Sequence, residues 1–264
     1  MTSAEDRTAT IGDLSLHYLD WGTAGLPPLV CLHGITQTAH SWDEVAPALA
    51  RTHHVRALDQ RGHGDSTWAP DGDYRIATQN HDIEDFLRAI DAAPAVLVAL
   101  SMGGLVAMTL AARAPDLVRA LVVVDIAPEV QRRGVDNIRN FIAATDELDH
   151  FEDFVTRAHA FNPRRALDNI RERLQHNLQQ LPNGRWTWKY DPALRNPALS
   201  PLHDGCGDAV QKITMAAAQN TARRISPEKN LASVMVNSLY QSVRRSIHEG
   251  SVTSGSMTRR MEWP

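Results

Sequence analysis

The chain has 264 residues, of which 43% are hydrophobic and 22% charged, and a formal net charge of -4. That length fits one large α/β domain, or a core with an inserted lid, better than two independent domains, and the apolar fraction excludes wholesale disorder. The mildly acidic balance argues against a nucleic-acid partner, and two cysteines, Cys31 and Cys206, are too few for a disulfide framework.

Residues 8–19 read as two short strands around the turn dipeptide Gly12-Asp13. PPLVCLHG is an apolar run ending in Gly34, with Cys31 a small buried hydrophobe. The stretch around 41–51 reads as helical, HHVRALDQRGHG as a strand with a Gly-rich exit at Gly62 and Gly64, and 78–92 as a helix. AVLVALS (95–101) and ALVVVDIAP (120–128) are Val-rich runs of the kind buried on both sheet faces, with a helix from Met102 to Arg113 between them. Strand alternating with helix predicts an α/β fold with a doubly wound, mostly parallel sheet. From about Glu129 to Arg195 the pattern turns amphipathic and charged, with no strand run, as expected of helices laid over the carboxyl ends of the strands. The expected division is a core of 1–128 and 205–264 with a helical insert at 129–204. No apolar run approaches bilayer length and MTSAEDRTAT holds no basic-then-apolar signal segment, so the expectation is a soluble, cytoplasmic protein.

The strongest chemical signal is AVLVALSMGG, where a strand runs into Ser101 and a helix follows. A serine on a tight strand-to-helix turn needs small neighbours, and the usual pattern is G-x-S-x-G. Here Ala99 stands at the first glycine position and Gly103 at the second. The plain alternative is a buried serine at a strand end before a glycine turn. His33-Gly34 closes an earlier strand, so that the backbone N–H groups of Ile35 and Met102 are candidates to share an oxyanion, with His33 itself structural. Asp59, Arg61, His63 and Asp65 of LDQRGHGDS read as a turn network and not as reacting groups.

These segments resemble the α/β-hydrolase superfamily, and in particular its branch with a helical cap after the sixth strand. H-G at His33-Gly34, D-x-R-G-H-G-x-S from Asp59 to Ser66 and S-M-G-G from Ser101 to Gly104 stand in that family's order and spacing over about residues 8–212. The resemblance implies hydrolysis of a small-molecule substrate by a Ser–His–acid triad, with no metal or organic cofactor. Because the attacking position is Ser101 and not aspartate, it implies a carboxylic ester or related acyl substrate; a lactonase, a carbon–carbon bond hydrolase and a catalytically impaired ligand-binding protein stay open. The oligomeric state is open as well. Asp125, ending LVVVDIAP, is the best visible acid, or else a loop aspartate before Pro128.

The tail breaks the pattern. Beyond Asp208 there is no aspartate, and the one histidine after Met215 is His248, with no strand-like run before it to aim it. A serine hydroxyl needs a positioned base; His248 lacks the strand that would aim it, and His203, in the SPLHDG loop, is no better placed. Two readings follow: a divergent C-terminus, or a shifted reading frame near Met215. Read one nucleotide earlier, Met257-Thr258 forces an aspartate codon and Gly250 to Thr253 permits G-V-G-H. The coding DNA across residues 205–264 separates the two.

Overall fold

The computed structural model describes residues 3–126, 132–143, 147–196 and 198. Strand β1 (Glu5–Ile11) and strand β2 (Leu14–Asp20) form a hairpin in which Ile11 faces Leu14 across Gly12, whose φ of +56° suits a residue without Cβ. Four more strands follow: β3 (Pro28–Leu32), β4 (His54–Leu58), β5 (Ala95–Leu100) and β6 (Val118–Val124). The sheet runs in the order β1-β2-β4-β3-β5-β6, antiparallel at β1-β2 and β2-β4 and parallel from β4 through β6. Helix α1 (Ala46–Leu49) is a single turn; α2 (Ile76–Ala89) and α3 (Met102–Arg113) are longer.

The core follows from the two-sided burial of β3 and β5. Val30, Leu32, Leu97 and Ala99 pack with Ile83, Phe86 and Leu87 of α2 and with Leu105, Val106 and Leu110 of α3. Leu29, Cys31, Val96 and Val98, pointing the other way, are equally sequestered. An α/β fold with a mostly parallel sheet is therefore what the chain adopts. Two details differ from the sequence reading. The 41–51 stretch is a 3-10 turn at Ala39–Trp42 plus the single turn of α1, since Pro47 and the short run of apolar residues do not sustain a longer helix. Strand β6, expected to be buried on both faces, is only partly buried and Val123 is exposed, because no other described strand pairs with its outer edge.

Beyond β6 come α4 (Arg132–Ala143), β7 (Glu147–Leu148), α5 (Phe151–Phe161), α6 (Leu167–Asn177), β8 (Leu178–Gln180) and β9 (Trp186–Trp188). The sequence reading found no strand here. The structure has a three-stranded antiparallel sheet in the order β7-β9-β8, separate from the large one. Pro182-Asn183-Gly184 makes its turn, with Gly184 at φ +82° and its N–H on Leu181 O at 2.9 Å, and Trp186-Thr187-Trp188 supplies β-forming residues. Ile35 and Met102 pack with Phe154, Ile170, Leu174 and Trp188 in a second apolar cluster. Backbone bonds from Gly64 N to Lys189 O (2.7 Å) and from Asp191 N to Gly62 O (2.8 Å) join this segment to the turn after β4. Among the described residues no helix is long and apolar enough to cross a membrane.

That turn is organised by buried charge. Asp59 accepts from His17 Nδ1 (2.8 Å), the Ala39 amide (2.6 Å) and the Asp65 amide (3.0 Å), while Arg61 pairs with Asp82 of α2 and Asp65 with Lys189. His63 is buried with Nδ1 donating to Arg61 O. The charges thus reach beyond the turn itself, to α2 and to the strand pair around Tyr190.

Two expectations follow. His17, bonded to Asp59 and to Asp6, has its pKa raised chiefly by the Asp59 hydrogen bond, against desolvation. A raised folded-state pKa gives stability that is complete below the unfolded value, about 6.5, and lost as pH climbs through the folded one. The stability gap between the protein and His17→Gln, from urea unfolding, is therefore expected to be larger at pH 6 than at pH 9; a gap constant with pH contradicts the ion pair. At Gly103 an added Cβ would lie 2.7 Å from the carbonyl oxygens of both Leu32 and His33, which are backbone and cannot swing away. Gly103→Ala is expected to cost about 1–3 kcal/mol, the range of overpacked sites, and an unchanged urea midpoint would show that β3 and α3 are less closely apposed.

Candidate active site

Ser101 stands between β5 and α3 with φ 49° and ψ -115°, a left-handed backbone that non-glycine residues adopt rarely and at a cost of about 1–3 kcal/mol. The surroundings enforce it. Its N–H donates to Val124 O of β6 at 3.0 Å, its carbonyl takes the Leu105 N–H at 3.1 Å, and the Gly103 N–H donates to His33 O at 3.1 Å. Chain direction thus reverses within one residue, and the side chain is set at the carboxyl end of the parallel strands.

The loop after β3 comes up against it. A Cβ on Gly34 would sit 3.3 Å from Ser101 Cβ, so the His33-Gly34 backbone can approach because Gly34 has no side chain. His33 is buried; its Nδ1 donates to Gly34 O at 2.8 Å and its Nε2 accepts the Gln60 N–H at 3.0 Å, which fixes the neutral tautomer. Burial lowers its pKa, and burial followed by the His33 charge lowers that of His63 to about 3. Both imidazoles are structural and neutral at physiological pH. Among the described residues the backbone N–H groups of Ile35 and Met102 have no hydrogen-bond partner. For Met102 the cause is its place at the first position of α3, where no carbonyl lies four residues back inside the helix.

Ser101 opens into a cavity of about 300 Å³. Gly34, Ile35, Thr36, Leu100 and Asp125 line it from the sheet side. Ile138, Phe141, Leu174 and Trp188 line it from the opposite segment, where Trp188 packs edge-on to Phe141 and Phe154. Asp125 follows β6 at φ 53°, is exposed, and has no partner among the described residues. Of the residues singled out in the sequence, Ser101, Ile35 and Asp125 share this cavity, and Met102 lies directly behind Ser101 in the apolar cluster. No histidine is among the described residues that line the cavity; His203 and His248 lie outside the described residues.

Sequence reasoning missed Arg173, Asn177 and Trp188, which also line the cavity. The one available signal was the spacing of Ile170, Arg173, Leu174 and Asn177, which sets them on one face of α6. Among the described residues there are two groups of potential metal donors, His40/Asp43/His176 and His17/Asp59/Asp65, the ligand atoms within each lying within 4.8 Å of one another. In the second, both nitrogens of His17 already face carboxylates; in the first, His40 Nδ1 is bonded to Asp43 at 2.8 Å and the two imidazoles are stacked at 3.6 Å.

Comparison with known proteins agrees with this geometry. The sequence profile described as alpha/beta hydrolase fold matches residues 27–192. The chain is 35% identical over 179 residues to the esterase Rv0045c of Mycobacterium tuberculosis, a match covering 66% of this chain and 59% of that protein. It is 41% identical over 133 residues to the mouse sn-1-specific diacylglycerol lipase ABHD11, covering 50% of this chain and 42% of that one. A solved E-2-(acetamidomethylene)succinate hydrolase superposes with a TM-score of 0.74 at 21% identity, covering 91% of this chain and 99% of that chain, a likeness of fold. The matches therefore span 59% of the esterase and 42% of the lipase, whereas the profile takes in the Ser101 turn, the His33-Gly34 loop and the Asp59 turn together. The chain belongs to the alpha/beta hydrolase fold family.

Proposed function

We propose that the protein is a serine hydrolase that cleaves a small carboxylic ester or related acyl compound through an acyl-enzyme. The observation that carries this reading is the strained Ser101 at the mouth of a 300 Å³ cavity, beside two backbone amides that no described group satisfies. Unpaired N–H groups next to a forced serine are what a developing oxyanion requires, and in a largely apolar cavity they act without solvent screening.

In this scheme Ser101 Oγ attacks the substrate carbonyl and loses its proton to an imidazole. The Ile35 and Met102 N–H groups hold the oxyanion, the alcohol leaves with the proton, and water then releases the acid from Ser101. Asp125, lining the cavity from the end of β6, is the acid that orients the imidazole. Residues 129–204 act as a cap that supplies the apolar wall over a core that includes 1–128; the expected core residues 205–264 lie outside the described residues. The names of the relatives, an esterase and a diacylglycerol lipase, support acyl chemistry for this chain. The base is unassigned in the chain as written, and we infer that it is encoded in the shifted reading frame after about Met215.

One observation favours a second reading, a ligand-binding protein without turnover: no histidine lines the cavity among the described residues. The two are separated by p-nitrophenyl butyrate hydrolysis. The chain as written is expected to show only the residual acceleration left when a triad member is missing, on the order of 10³–10⁴ over water. A chain carrying the shifted-frame tail is expected to gain by orders of magnitude, and to lose that gain in Ser101→Ala. No gain from the shifted tail, together with no turnover by the chain as written, sinks the serine-hydrolase reading. Full, Ser101-dependent turnover by the chain as written overturns the assignment of the base and points to His248.

A further inference from the structure

A guanidinium in the wall of a largely apolar cavity must be answered by negative charge from the protein or from a ligand, because it cannot shed its proton. Arg173 of α6 is such a group. It lines the Ser101 cavity and is only partly exposed. Burial first, and then the charge of Arg165, bring its pKa below the ordinary guanidinium value. Its hydrogen-bond partner among the described residues is the Ser41 hydroxyl, Nη2 to Oγ at 3.3 Å, and a single long bond to a neutral oxygen does not neutralise it.

The carboxylates whose charge reaches Arg173 are Glu44, Asp43 and Glu172, and Asp125 lines the same cavity without a partner among the described residues. Glu44 accepts from Asn169, Asp43 accepts from His40, and Glu172 is exposed; none forms a salt bridge with Arg173. The contrast on the same helix is direct, since Arg171 holds both Glu152 and Asp168. Of the two arginines of α6, Arg171 is thus ion-paired and Arg173, in the cavity lining, is not. Arg165, the second arginine of the lining, is exposed and has no ion pair among the described residues. Trp188, also in the lining, has its indole N–H buried with no partner among the described residues.

This basic end of the cavity connects to the reacting end through three polar links. Arg173 donates to Ser41, Ser41 Oγ donates to Gln37 Oε1 at 3.1 Å, and the Gly34 N–H donates to the same oxygen at 3.3 Å, with Gly34 against Ser101. Ser101 and Arg173 line one cavity, so a ligand with its acyl carbon at Ser101 can extend toward Arg173.

We propose that Arg173, with Arg165 and the Trp188 N–H beside it, forms a carboxylate-binding subsite, so that the substrate is a short acyl compound carrying a free carboxylate. The acyl half of this statement rests on the Ser101 reading above; the anion half stands on the unpaired cations alone. A carboxylate fits because the planar guanidinium fork matches its two oxygens, and the cavity volume restricts it to a small molecule.

The test is equilibrium binding by the full chain, followed by calorimetry and by tryptophan fluorescence. The probes are monoethyl glutarate, diethyl glutarate and inorganic phosphate at neutral pH. The monoanion is expected to bind at least about tenfold tighter than the neutral diester, the gain of a charge-assisted hydrogen bond. Arg173→Met is expected to abolish that preference while leaving diester binding in place, and Arg173→Lys, which keeps charge without the fork, to retain part of it. Ser101→Ala is expected to keep the preference, so a failure of serine chemistry and a failure of the subsite read out separately. Equal affinity for monoester and diester in the unmutated protein overturns the proposal, and that comparison needs no variant to fold. So does a preference that survives Arg173→Met, failure of the monoester to bind at millimolar concentration, or phosphate binding as tightly as the monoester.

Discussion

Ser101 has to hold a left-handed backbone at the one point where a parallel strand must become a helix, and much of the structure can be understood as what makes that conformation the lowest available. Three separate contacts fix it: β6 takes its N–H, α3 takes its carbonyl, and the loop after β3 takes the N–H of Gly103. Each comes from a different element, so the strain at one residue is balanced by the packing of the whole sheet on α3. The small residues at positions 99, 103 and 104 follow from the same constraint. A Cβ at Gly103 would strike two carbonyl oxygens, and one at Gly104 would meet Ile126 at 2.6 Å.

A second constraint holds the other wall of the cavity. Asp59 is almost wholly buried, yet it keeps a lowered pKa against desolvation because His17 and two backbone amides bond to it. The turn it organises carries Gly62, Gly64 and Asp65, and these receive the backbone and side chains around Tyr190 and Asp191. A charge network in the core turn thereby positions Trp188 and α6, and with them Arg173. Mechanical support and the cavity lining meet in the same segment.

The parts of this arrangement that depend on chain-local pattern are legible in the sequence. The β5–Ser101–α3 junction is readable because a Val-rich run, a serine and a glycine pair follow one another without a gap. The hairpin at Gly12-Asp13 is readable because the turn dictates it. The β8–β9 hairpin is not read, although Pro182-Asn183-Gly184 announces a turn, because LQQL continues the helical charge pattern of α6 and three-residue strands carry little periodicity. The half-buried state of β6 is not read, because Val-rich sequence marks the capacity to be buried and not the neighbour that does the burying. Arg173 is invisible for a related reason. On α6 it is one arginine of two with the same helical propensity, and only coordinates show that Arg171 finds carboxylates while Arg173 faces a cavity.

The measurement that bears most directly on the account is a crystal structure of the protein after reaction with a fluorophosphonate. Phosphorus is predicted on Ser101 Oγ, with its phosphoryl oxygen within about 3 Å of both the Ile35 and the Met102 nitrogens, the spacing of an oxyanion site. Phosphorus on another residue, or a phosphoryl oxygen turned away from both amides, would contradict it.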